Sequence, residues 1–195
     1  MLARARQETS VVDWLEADVR EWQPESPPDL IYSNATLHWV DDHPELFPRL
    51  ASMLDPGGVL AVQMPLSWGM PSHYLMREVL ATGAKKSRSF GTEALRISTG
   101  RKWVADADAY YDLLAGESEQ LDIWETESLQ ILEGQDPVLE WVKGTGLRPI
   151  LDGLDDQERE AYLGVYGERL REAYPMREDG KTIYPFRRLF IVATI

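Results

Sequence analysis

Between Asp29 and Pro65 the chain spells out one supersecondary unit. Asp29 to Asn34 reads as a strand; Leu46, Phe47, Leu50, Met53 and Leu54 mark a helix; Asp55-Pro56-Gly57-Gly58 stops it; and Val59 to Met64 is a second strand closed by Pro65. Asp41-Asp42-His43-Pro44 is the helix entrance, with acidic side chains beside the positive end of the helix dipole and proline near the first turn. Strand, helix, glycine turn, strand is the grammar of an α/β fold with a parallel sheet. Ligands of such sheets sit outside the carboxyl ends of the strands. Asp18, Asn34 to Trp39 and Gln63 to Ser67 are therefore predicted to share one rim.

Upstream, Val11, Val12, Trp14, Leu15, Ala17 and Val19 read as a buried strand ending at Asp18, since a strand covered on both faces need not alternate. Arg20 to Pro28, with three prolines, is a loop. Beyond Pro65 the pattern predicts a helix over Ser72 to Ala81, an irregular and locally basic stretch from Lys85 to Trp103, and a short helix from Asp106 to Ala115. Strands follow at Leu121 to Leu132 and Arg188 to Ile195. Between them lie a helix from Pro137 to Lys143, ended at Gly144, and a longer one from about Asp156. Tyr162, Tyr166, Leu170 and Ala173 stripe one face of the longer helix, and Asp155 with Glu158 resembles a capping box. Helices interrupting a strand pair suggest a cap over a binding site.

Composition narrows the function. With 20 basic against 33 acidic residues the net charge is −13, which argues against nucleic-acid binding, where a basic face must displace counterions from phosphates. An anionic small molecule remains compatible if a few arginines cluster. The absence of cysteine removes thiolate metal sites, cysteine nucleophiles and disulfides. The start, Met1-Leu-Ala-Arg-Ala-Arg, supplies no apolar leader stretch, and the most continuous apolar run, Leu189 to Ile195, is far below the roughly 20 residues that span a bilayer. A cytoplasmic chain with no membrane partner is expected.

The common catalytic signatures are missing. Gly144-Thr-Gly146 follows a helix and reads as its terminator, and there is no Walker loop, Gly-x-Ser-x-Gly elbow or His-Glu-x-x-His. His38 and His43, five residues apart, do not share a helix face, so no metal site is expected there. His38 lies at the end of a strand, where contact with a ligand and packing as a core histidine are both open. Trp39, Trp124 and Trp141 read as core residues before ligand platforms.

Two segments, Glu16-Ala-Asp-Val-Arg-Glu-Trp-Gln-Pro24 and Asp29-Leu-Ile-Tyr-Ser-Asn-Ala-Thr-Leu-His-Trp39, resemble the mid-section of class I S-adenosylmethionine-dependent methyltransferases. Leu46-Phe-Pro-Arg-Leu50, Pro56-Gly-Gly-Val-Leu-Ala-Val-Gln-Met-Pro65, Leu75-Met-Arg-Glu-Val79, Ala109-Tyr-Tyr-Asp-Leu113, Val142-Lys-Gly-Thr-Gly-Leu-Arg-Pro149 and Arg188-Leu-Phe-Ile-Val-Ala193 narrow the resemblance to the trans-aconitate 2-methyltransferase family, in order along the whole chain. His38 stands where that family has glutamine before the tryptophan. The resemblance implies a Rossmann-like α/β methyltransferase sheet with a helical cap, N-terminally truncated, because the family's opening strand, Gly-x-Gly loop, helix and second strand have no counterpart before Met1. It divides the chain into a partial core at 1–65, a helical or irregular cap segment at 66–118, a core strand at 119–133, a cap insertion at 134–182 and a terminal core strand at 183–195.

By the same resemblance the cofactor is S-adenosylmethionine. Asp18 would accept a hydrogen bond from the adenine amino group, with the Val19 backbone nearby, and Asn34 and Ala35 would line the pocket by the sulfonium. His38 and Trp39 would position the donor methyl and the acceptor. The implied reaction is methyl transfer to a carboxylate oxygen. A carboxylate with a pKa of about 4 is already ionised at neutral pH and needs no general base. Arg148, Arg77, Tyr111 and Tyr184 are the candidates for holding the carboxylates that do not react, since arginine does this bidentately. Two alternatives stand beside this reading: a non-catalytic relative binding a carboxylate or a partner chain, and a methyltransferase for another carboxylic acid. Strand edges left unpaired recruit other chains, so a homodimer or a strand-swapped oligomer is expected.

Overall fold

The computed structural model describes residues 6–7, 12–83 and 89–195. Its elements run β1 (Leu30–Asn34), a 3-10 turn (Leu37–Trp39), α1 (His43–Ser52), β2 (Val59–Pro65), α2 (Pro71–Thr82), α3 (Glu93–Thr99), α4 (Ala107–Leu114), β3 (Gln120–Leu132), α5 (Pro137–Lys143), α6 (Arg148–Asp152), α7 (Asp156–Ala173) and β4 (Thr182–Thr194). The four strands form one sheet in the order β1-β2-β4-β3. Only β1 and β2 are parallel, with Asn34 opposite Gln63; β4 runs antiparallel to both its neighbours.

The α1-to-β2 turn forms as the sequence requires. Gly57 adopts a φ of 81°, and a Cβ on Gly58 would lie 2.7 Å from the Asp55 carbonyl, which only glycine avoids. Alternation along the strands then sorts the side chains. Leu60, Val62, Met64, Leu189, Ile191 and Ala193 pack under α1 and α4 with Phe47, Leu50, Tyr110 and Leu114. A second core joins α2 to the helices between β3 and β4, around Leu80, Val142, Leu147, Ile150, Tyr162 and Tyr166.

Several expectations are corrected. Residues 12–19 form no strand, and Val11 lies outside the described residues. Val12, Trp14 and Leu15 are exposed, Leu15 at 69%. Apolar composition makes a strand only where a neighbour completes the ladder, and here β1 is the outermost strand of the described sheet. The chain instead turns at Asp18, whose carbonyl accepts from the Glu21 and Trp22 amides. Within Lys85 to Trp103, residues 85–88 lie outside the description, but α3 forms beyond them, its start capped by the Thr92 hydroxyl accepting from the Leu95 amide at 3.1 Å. The terminal strand begins at Thr182, six residues before Arg188, and pairs with β3 over 13 residues. On α7 the predicted stripe ends at Leu170, since Ala173 is exposed and Tyr174 is buried instead. Half of the capping box forms: Asp155 accepts from the Glu158 amide at 2.8 Å, while the Glu158 carboxylate accepts from the Gly91 amide.

Candidate functional site

The carboxyl ends of β1 and β2 bring the predicted rim segments together. Ala35 follows β1 with a φ of 50°, and its amide donates to the Gln63 carbonyl at 3.0 Å, which turns the chain over the strand ends. Asn34, Ala35 and Gln63 line an open hollow of about 570 Å³ that continues along the sheet past Tyr32, Phe190 and Arg188. The Asp18 turn is tied to the same rim by Arg20, which forms a bidentate pair with Asp18 and reaches Asp41 at 3.4 Å. From below, Arg49 of α1 donates to the carbonyls of Val19 and Trp22. The Arg20 guanidinium holds the exposed Asp18 carboxyl down at about 2, so it is an anionic acceptor at any ordinary pH.

Buried polar atoms without partners concentrate here. Ser33 Oγ, His38 Nδ1 and Gln63 Nε2 are all buried and unpaired among the described residues. Gln63 is only 8% exposed, so its amide stands in the wall of the hollow as a donor lacking an acceptor. His38 packs against Trp39, which is 52% exposed; Trp39, Trp124 and Trp141 are all exposed and not the core residues their apolar character suggested. Burial lowers the His38 pKa to about 4, leaving a neutral imidazole at pH 7.

α2 delivers the next groups. Three tyrosines pin its first turn: Tyr174 accepts from the Ser72 amide, Tyr166 donates to the Ser72 carbonyl, and Tyr184 meets Ser72 Oγ at 3.2 Å. Ser72 Oγ also meets His73 Nδ1 at 3.1 Å. One turn later Arg77 stacks its guanidinium 3.5 Å above the Trp68 ring. His73 is held neutral to about 4, by burial first and then by the Arg77 guanidinium.

The predicted acceptor residues are placed differently from one another. Arg77 lies on α2 as described. Tyr184 is 1% exposed and spends its hydroxyl on Ser72, so it reaches a ligand only through that side chain. Arg148 opens α6 and Tyr111 lies on α4; both are exposed. Sequence reasoning did not single out His73 or Arg188. Arg188 lines the hollow with its guanidinium 4.8 Å from the Phe186 ring. In Phe186-Arg-Arg-Leu-Phe190 the strand period turns Arg187 to the opposite face, where it pairs with Glu125. That alternation was the available signal.

Comparison with known proteins decides the family. A family model described as a methyltransferase domain matches residues 3–113. The chain is 45% identical over 193 residues to the trans-aconitate 2-methyltransferase of Azoarcus sp. (strain BH72), covering 99% of this chain and 73% of that protein. This chain belongs to the trans-aconitate 2-methyltransferase family. The family member from Pseudomonas aeruginosa is 43% identical over 196 residues, covering all of this chain and 71% of its own. Among solved structures, the YcgJ protein of Bacillus subtilis superposes with a TM-score of 0.54 at 10% identity, over 98% of this chain and 75% of that one, a likeness of fold. Among the described residues no helix is long and apolar enough to cross a membrane.

Proposed function

We propose that this chain methylates a carboxylate of trans-aconitate, with S-adenosylmethionine as donor, forming a monomethyl ester. Family membership supplies the reaction class. One observation carries the carboxylate assignment: Arg77 is half-buried at the rim, and among the described residues no carboxylate lies within salt-bridge distance of it. Its guanidinium is held instead by the Trp68 ring and carbonyl, which leaves N–H donors for an external carboxylate.

The rim fits the proposed donor through its unpaired buried groups, Gln63 Nε2 and His38 Nδ1, and through the anionic Asp18 turn, which suits an adenine amino group. Bound S-adenosylmethionine supplies a methyl group activated by sulfonium charge. Asn34, Ala35 and Gln63 bound the pocket beside it, and in this reading His38 and Trp39, on the 3-10 turn that follows β1, position the acceptor. The acceptor carboxylate is already ionised and needs no proton removed. Neutral His38 and His73 are therefore hydrogen-bonding groups in this reading, and rate comes from alignment of oxygen, methyl and leaving sulfur. In this reading the insertion at 134–182 serves as the cap, and the exposed Arg148 on it is a further candidate for holding a carboxylate. A second copy of this chain is the proposed partner of the β1 edge, where Leu30 and Tyr32 are exposed.

Incubation with S-adenosylmethionine and trans-aconitate, followed by mass spectrometry, should reveal a monomethyl ester. A chain that binds both compounds by calorimetry and yields no ester supports the non-catalytic alternative. Ester formation on another acid in preference to trans-aconitate overturns the substrate.

A further inference from the structure

We infer that Trp68 is the positioning residue of a carboxylate receptor on α2. Its ring and its carbonyl oxygen together hold Arg77 in the orientation in which the rest of the guanidinium receives an acceptor carboxylate that does not react. The inference rests on the carboxylate reading above and says how that site selects a polycarboxylate.

Two contacts fix the guanidinium. The Arg77 Cζ lies 3.5 Å from the centroid of the Trp68 ring, which sets the plane of the fork. Arg77 Nη2 donates to the Trp68 carbonyl at 2.8 Å, which sets its rotation within that plane. A long flexible side chain is thus ordered before a ligand arrives, and the entropy of ordering it is not charged to binding. Five N–H donors sit on a guanidinium and Trp68 takes one, so a second edge is left for a bidentate partner.

The surroundings separate Arg77 from the solvating arginines. Arg20, Arg159, Arg169, Arg171 and Arg187 each hold an Asp or Glu. Arg77 instead has an aromatic face on one side, and desolvation lowers its pKa. His73, four residues earlier and so on the same helix face, has its Nδ1 engaged by Ser72, which leaves Nε2 as its outward atom. That atom borders Gly146, where a Cβ would lie 2.8 Å from it. Trp68 follows β2 by three residues, so its platform belongs to the rim that carries Gln63. A site built this way discriminates against acids with fewer carboxylates, because an unmatched substrate leaves the desolvated guanidinium unpaired.

The test is a double-mutant cycle on the full chain, reading the Kd of trans-aconitate by calorimetry and its KM in the methyl-transfer assay. Trp68→Leu should weaken trans-aconitate about tenfold, and Trp68→Phe, which keeps a ring face, about threefold. Arg77→Gln should lose at least as much as Trp68→Leu, and the double variant should bind no more weakly than Arg77→Gln alone. The loss should fall on KM for the acid and leave the affinity for S-adenosylmethionine within about twofold. Multiplying losses, or equal weakening of both ligands, overturns the inference. Trp68→Phe keeps an aromatic face and removes less volume than Trp68→Leu, so a loss selective for the acid with S-adenosylmethionine affinity retained distinguishes positioning from misfolding. A wild-type chain that neither binds nor methylates trans-aconitate overturns the carboxylate reading itself, an outcome separate from wild-type binding without coupling.

Discussion

The Tyr110 hydroxyl of α4 lies 2.6 Å from Nδ1 of His43 at the start of α1, while His43 Nε2 lies 3.0 Å from the Leu37 carbonyl. A carbonyl can only accept, so Nε2 carries the proton and Nδ1 accepts from Tyr110. The hydroxyl in turn accepts from the Ala105 amide at 3.1 Å. One buried imidazole therefore ties the 3-10 turn bearing His38 and Trp39 to two helices. Tyr110→Phe strands both the Ala105 amide and Nδ1 and should cost about 1–3 kcal/mol. At roughly 2–4 °C per kcal/mol for a chain of this size, calorimetric melting will register it.

Acid should weaken the fold through its histidines. His38 and His73 are held neutral to about 4, and burial lowers His43 as well. Below the unfolded value of about 6.5 the unfolded chain takes up protons that the folded chain refuses. Stability is therefore lost as pH falls from 6.5 towards 4, by on the order of 2 kcal/mol after allowing for solvent screening. Denaturant midpoints at pH 7, 5.5 and 4.5 should show that slope, and His38→Gln with His73→Gln should flatten it.

Gly146→Ala should act on the acceptor side alone. Its Cβ would press on His73 Nε2 at 2.8 Å, and the Ser72 contact limits where that ring can go. A several-fold rise in KM for the acid is expected, with a stability loss of about 1 kcal/mol. Unchanged KM would remove His73 from the site.

Asp18 offers a test of the donor side. Both Asp18 and Arg20 are exposed, so Asp18→Asn should leave the melting temperature unchanged. Affinity for S-adenosylmethionine should fall about fivefold or more if the carboxylate accepts from adenine. Calorimetric titration reads it directly, and equal affinities would return Asp18 to the role of a turn residue.

The β1 edge makes a hydrodynamic prediction. Tyr32 is 68% exposed on an outermost strand. Sedimentation velocity should show concentration-dependent association, and Tyr32→Lys, which places a charge on that edge, should shift the chain towards monomer.

Local patterning determined the β1–α1–β2 unit and the helices α2, α4, α5 and α7. Each depends on signals carried within a few residues, such as Asp55-Pro56-Gly57-Gly58 or the Tyr162, Tyr166, Leu170 spacing. Partners distant in the chain decided the rest. Val12 to Val19 is strand-like in composition yet unpaired, because a ladder needs a neighbour that local sequence does not supply. Helix α3 has no buried residue, so no apolar stripe announced it. Asn34 and Gln63 could be placed side by side at the strand ends from topology rules alone, whereas the strand expected to end at Asp18 does not form. That Arg77 rests on Trp68, that Tyr184 is spent on Ser72, and that Gln63 and His38 keep unpaired polar atoms could not be read that way, because burial and hydrogen-bond satisfaction are set by tertiary packing.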